Sequence, residues 1–124
     1  MTYVFLSSTD SLEYHPDNTS FDFTVELSHE IKGSHKIALC EIDFEPVGED
    51  LYIFCDVCDD SHVLDRSLPL LRITDSPGEF SNLYFHNITR SFVQRIRIYI
   101  RNQNLSTPST SIGPVRCTLV VEAI

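Results

Sequence analysis

Apolar and polar positions alternate in short stretches along this chain, and the period is two rather than 3.6. The clearest stretch is Phe21-Asp22-Phe23-Thr24-Val25-Glu26-Leu27, where Phe21, Phe23, Val25 and Leu27 share one face. Another is residues 95–101, with Ile96, Ile98 and Ile100 opposite Arg95, Arg97, Tyr99 and Arg101. Six further runs have strand length and are rich in β-branched and aromatic residues: 3–8, 36–44, 51–57, 68–74, 82–89 and 115–123. Strand breakers lie between them, among them Pro46-Val47-Gly48, Ser76-Pro77-Gly78 and the stretch 106–113 with Pro108. No segment carries an apolar stripe at helical spacing; residues 91–95 have room for a single helical turn.

Eight such runs predict an all-β fold, an eight-stranded antiparallel sandwich with the connectivity of a single jelly roll, spanning 1–124 as one domain. In that connectivity the first, eighth, third and sixth runs share a sheet. The second, seventh, fourth and fifth share the other. The seventh run then lies between the second and the fourth. Outward Arg95, Arg97 and Arg101 face Asp22 and Glu26 on one side and Asp56 on the other. Cross-strand charge pairs of this kind contribute roughly 0.2–1 kcal/mol each.

The first sheet reads differently. Its third run sets Ala38, Cys40, Ile42 and Phe44 on one face and Ile37 and Leu39 on the other. Tyr3 and Phe5 oppose Val4 and Leu6, and Tyr84 opposes Leu83 and Phe85. Both faces are therefore partly apolar, and either the chain's own loops or a neighbouring subunit covers the outer one. If a subunit does, the interface candidates are Tyr3, Phe5, Ile37, Leu39 and Tyr84.

Composition narrows the function. With 124 residues, 42% hydrophobic and 22% charged, the chain suits one ordinary globular domain. No apolar run approaches the ~18 residues of a membrane span. The first residues lack the basic region of a secretory signal, so Cys40, Cys55, Cys58 and Cys117 are expected to be free thiols. A net charge of −9 argues against nucleic acid or anionic lipid as the main partner. That charge is uneven: residues 1–65 hold 15 acidic side chains and two lysines, while 66–124 hold seven arginines and three acids. The two halves attract each other, within one fold or between copies.

Candidate chemistry is sparse. Cys55-x-x-Cys58 with His62 is the densest set of metal-ligand types. Positions three apart on a strand face opposite ways, so the two thiols converge only if the chain turns at Val57. Structural cysteines, with no metal and no cofactor, are the preferred reading. Asp56, Asp59 and Asp60 lack the spacing of a calcium loop. There is no Gly-x-Ser-x-Gly and no glycine-rich phosphate loop, and the five histidines fall in no nucleophile pattern, so the chain is not expected to be an enzyme. The arginine stripe beside Tyr99 has the makings of a nucleic-acid contact, but its acidic neighbours make this the minor reading.

Three segments carry a family likeness. The first is Tyr3-Val4-Phe5-Leu6-Ser7-Ser8, followed by Tyr14-His15-Pro16-Asp17-Asn18-Thr19, the alternating run 21–27 and Lys36-Ile37-Ala38-Leu39-Cys40-Glu41-Ile42. The second is Leu51-Tyr52-Ile53-Phe54-Cys55-Asp56-Val57-Cys58 with Leu68-Pro69-Leu70-Leu71-Arg72. The third joins residues 95–101 to Gly113-Pro114-Val115-Arg116-Cys117-Thr118-Leu119. Together they resemble the minor capsid, or penton, jelly-roll proteins of Polinton-like and adintovirus-like DNA elements of animals. The chain is shorter than many of those proteins between the first and second segments. The resemblance implies a virion structural role: a homo-oligomer, in the form of a pentameric ring, contacting a double-jelly-roll major capsid protein. It also implies assembly in the host cytoplasm or nucleus. A monomeric sandwich that binds a peptide or protein partner is the alternative.

Overall fold

The computed structural model describes residues 1–124, and every regular element in it is a strand. In chain order these are β1 (Thr2–Ser7), β2 (Asp22–Lys32), β3 (His35–Asp43), β4 (Leu51–Cys55), β5 (Ser61–Val63) and β6 (Arg66–Leu68). There follow β7 (Leu70–Thr74), β8 (Gly78–Glu79), β9 (His86–Asn87), β10 (Phe92–Arg101) and β11 (Arg116–Ala123). Sheet one runs β1-β11-β3-β8, with β9 also on β3; sheet two runs β2-β10-β4-β7; β5 and β6 form a separate hairpin. All pairings are antiparallel. The fold is an all-β antiparallel sandwich, and its sheet orders are those set out above for the eight runs, with β9 in the place of the sixth.

Alternation places the core. Ile96, Ile98 and Ile100 of β10 have no exposed surface. Their registers set Ile96 against Val25, Ile98 against Phe23 and Ile100 against Ile53. Leu6, Ile42, Cys117 and Leu119 meet them from sheet one in a single cluster of 22 buried residues. Burying one such aliphatic side chain contributes about 1.5–3 kcal/mol, so a single inner row supplies much of the driving force.

Four local readings need correcting. Residues 91–95 make no helical turn, because β10 begins at Phe92 and pairs Phe92 with Lys32 and Val93 with Ile31. Leu68 belongs to β6 rather than to the fifth run, since Pro69 has no N–H for a ladder and separates β6 from β7. Residues 82–85 form no strand. Arg72 holds that segment instead: its Nη1 donates to the Asn82 carbonyl at 2.7 Å. Its guanidinium also stacks on Phe80 and Tyr84, 3.7 and 4.5 Å from the ring centroids.

The fourth correction concerns Ile37 and Leu39, which lie in the core and not on an outer interface. A β-bulge is the cause. Leu39 pairs with Leu119 and Glu41 with the adjacent Thr118, so Cys40 is an extra residue without a partner. The bulge switches the parity of β3. Ile37 and Leu39 before it, and Ile42 and Phe44 after it, all point inward.

Candidate functional site

The two outer faces differ in how far their side chains are used. On sheet two, Arg95 Nε donates to Glu26 Oε1 at 3.0 Å. Arg97 makes a two-pronged contact with Asp22, Nε to Oδ1 at 2.9 Å and Nη2 to Oδ2 at 2.8 Å. Asp56 does not meet an arginine side chain of β10. Its Oδ1 accepts the Arg97 backbone N–H at 2.9 Å, and its Oδ2 lies 3.9 Å from Arg90 Nη2. Arg101 reaches no carboxylate at all. Its Nη1 donates to the carbonyls of Ile100 at 2.9 Å and Phe21 at 3.4 Å, because β2 begins at Asp22 and offers no acid beyond it.

Tyr99 stacks on Phe54 with centroids 4.9 Å apart, between the guanidiniums of Arg97 and Arg101. Burial pushes the Tyr99 hydroxyl pKa up. Hydrogen bonds from His15, at 2.9 Å, and from Arg95 hold the Glu26 carboxyl below the usual range. Within the chain, carboxylates hold the Arg95 and Arg97 guanidiniums and backbone carbonyls hold that of Arg101.

Sheet one presents aromatic surface. Tyr3 and Phe5 are 53% and 73% exposed and stack with centroids 6.5 Å apart. The register sets Phe5, Thr118, Glu41 and Glu79 side by side across four strands, and Tyr3, Val120 and Ala38 in a parallel row. Val120 and Ala38 are fully buried, so the second row is closed by its neighbours while the first stays open. Phe80 and Leu83 complete a groove of about 480 Å³ with Tyr3, Phe5, Glu41 and Glu79. Tyr84 is exposed but lies on Arg72, and the groove lining contains Leu83 in its stead. Of the five interface candidates the groove therefore contains Tyr3 and Phe5. Phe80, Leu83, Glu41 and Glu79 escaped the sequence reading, because irregular chain, a two-residue strand and the β3 bulge bring them there.

Glu41 and Glu79 pair directly across β3 and β8, and neither forms a salt bridge. Like charges directly opposite repel. Cys40 sits beside them, and its thiol pKa is raised by burial first and by both carboxylates after it.

The cysteine motif lies at a turn in the core. The chain does turn at Asp56 and Val57, and the Cys58 N–H donates to the Cys55 carbonyl at 3.1 Å. Both side chains are buried and free of a disulfide. The hydrogen bond that the Cys58 thiol donates to Cys55, then burial, raises the Cys58 pKa; burial pushes Cys117 up to about 12. Thiols held protonated are weak nucleophiles and poor ligands. His62 stands apart on the β5–β6 hairpin, 3.7 Å from Asp65. No three His, Cys, Asp or Glu side chains are grouped as a metal site would need.

A second concavity of about 760 Å³ opens between the two edge strands, lined by Val4 and Leu6 of β1 and Val25, Leu27 and Ile31 of β2. Half of the β2 edge is already occupied. Asn18 Oδ1 accepts the Thr24 N–H at 2.9 Å, and Ser11 Oγ accepts the Glu26 N–H at 2.9 Å. Side chains that cap an edge in this way block strand addition. No protein-family model matches the chain, and no curated protein matches it in sequence.

Proposed function

We propose that this chain is a jelly-roll subunit of a viral capsid, of the minor or penton type, acting by self-association and by contact with a major capsid protein. The observation that carries the reading is the exposed Tyr3–Phe5 shelf and groove on sheet one, beside a sheet two whose Arg95 and Arg97 are paired with Glu26 and Asp22. Stacked aromatic surface beside buried neighbours is what an interface core offers before assembly. The likeness of three segments to penton proteins and the two sheet orders support the same reading. Its setting is the virion, with assembly in the host cytoplasm or nucleus. Size-exclusion chromatography with light scattering tests it. The expected species is a homo-oligomer, a pentamer in the ring form, with each contact burying more than about 1,000 Å². A strict monomer at about 1 mM, where even millimolar contacts register, overturns it.

The open half of the β2 edge favours one other reading, a monomeric module that captures an extended peptide. Backbone amide shifts confined to residues 28–32 on adding an apolar peptide to a monomeric sample would establish that reading.

A further inference from the structure

The hairpin β5–β6 carries the residue that the groove lacks. Its two turn residues, Leu64 and Asp65, have φ of 47° and 64°. Such turns call for Asn, Asp or Gly at both positions. Leucine in the left-handed region is strained, since its Cβ crowds the following carbonyl. It is also 53% exposed, so the strained conformation holds an apolar side chain out in solvent. Val63, next to it, is buried and anchors the hairpin. Arg66 follows, exposed and without any carboxylate partner. The hairpin pairs with no other strand.

Knob and groove are complementary in two independent ways. The groove offers Tyr3, Phe5, Phe80 and Leu83 to an apolar side chain, and the Glu41–Glu79 pair to a cation. The hairpin offers one exposed leucine and one unpaired arginine two residues apart. We infer that the groove on sheet one receives the Leu64–Arg66 tip of a second copy of this chain. Leu64 enters among the aromatic side chains and the Arg66 guanidinium lies between the two carboxylates, relieving their repulsion. Asp65 between them stays on the solvent side with His62. The two surfaces are different parts of one molecule: docked once per pair of copies, the contact is head-to-tail and closes rings or extends into filaments, and docked reciprocally it makes a two-fold dimer. The inference rests on the capsid-subunit reading and names its contact.

Sedimentation equilibrium on the full chain and its variants tests it. Arg66→Glu weakens self-association at least tenfold, and so does the pair Glu41→Lys with Glu79→Lys. Combining all three restores it to within about threefold of the parent, because the charges are exchanged across the contact. Leu64→Asn has two opposed effects: it raises the melting temperature by roughly 3–6 °C as the strain is released, and weakens association tenfold. A leucine with only a structural role would not separate those readouts. An oligomer unchanged by Arg66→Glu and by the paired lysines overturns the inference while leaving the capsid reading intact. A parent chain that stays monomeric at about 1 mM overturns both. Circular dichroism melts show that each variant is folded before its association is read.

Discussion

Sheet two spends its Arg95 and Arg97 guanidiniums on its own acids, while sheet one, beyond the Lys36–Glu122 pair, leaves the groups around Phe5 unused. On sheet two, Asp22, Glu26 and Asp56 each hold a partner on β10, and Tyr99 rests on Phe54. On sheet one, Phe5 is exposed and neither Glu41 nor Glu79 forms a salt bridge. Both sheets pack on a common core, so folding alone does not demand the difference. A face with satisfied hydrogen bonds gains little by leaving water, whereas an aromatic shelf beside unpaired acids gains from a partner of matching chemistry.

The largest test asks whether the two sheets are equal beneath their faces. Ile98 and Leu39 are both buried, one on each sheet. Ile98→Asp and Leu39→Asp should each cost more than about 4 kcal/mol, since each forces an unpaired charge into the core. Both variants should be unfolded by circular dichroism at 25 °C. A folded Leu39→Asp would return that residue to the outer face and undo the comparison.

That Leu39 belongs to the core was the part of the fold least legible in the residues. The rows at 21–27 and 95–101 are readable because one inner side chain follows another at fixed spacing, and Phe23, Val25, Ile96 and Ile98 are where that spacing puts them. In β3 the run Ile37-Ala38-Leu39-Cys40 is apolar at every position, so the pattern fits either parity. Only the partner strand shows the extra residue at Cys40. The hairpin β5–β6 was invisible for a related reason. Leu64-Asp65 is not a recognised two-residue turn, and its geometry is set against propensity. Tyr3 and Phe5 were legible as outward aromatics. The acids and loop residues that complete their groove depend on three-dimensional register.

A smaller effect separates satisfied from unsatisfied acids. Asp56→Ala removes the acceptor of the Arg97 N–H and should cost about 1–2 kcal/mol in urea unfolding. Glu79→Ala removes only a repelling partner and should cost nothing or stabilise slightly. Equal losses from the two would mean that Glu79 is as well paired as Asp56.

Acid should distinguish the faces in the same direction, more weakly. The Glu26 carboxyl titrates lower in the folded chain than its usual 4.5, because His15 and Arg95 hydrogen-bond the charged form. Its contribution is fully present above that usual value and disappears as pH falls through the lowered folded value. The site is partly exposed, so the amount is that of a screened ion pair, under about 1 kcal/mol. Glu26→Gln should flatten the acid limb of stability against pH, and an unchanged limb would show that the pair contributes nothing.

The smallest effect on stability is the most informative about function. Phe5 is 73% exposed, and its ring touches solvent rather than core. Phe5→Ser removes little buried area from the folded chain, so the unfolding midpoint should move by no more than the ~0.5 kcal/mol of an ordinary surface change. Association is a different matter. An aromatic ring at the centre of an interface often contributes 2 kcal/mol or more, about thirtyfold in the dissociation constant. Phe5→Ser should therefore leave the melting curve in place and shift the sedimentation equilibrium towards monomer. A change on the other sheet, Tyr52→Ser, should leave the sedimentation equilibrium in place, because Tyr52 lies between Arg101 and Ile73 on sheet two, away from the groove. If instead Phe5→Ser destabilises the monomer and leaves association alone, the exposed shelf is part of the fold's own packing. The difference between the faces would then carry no functional meaning.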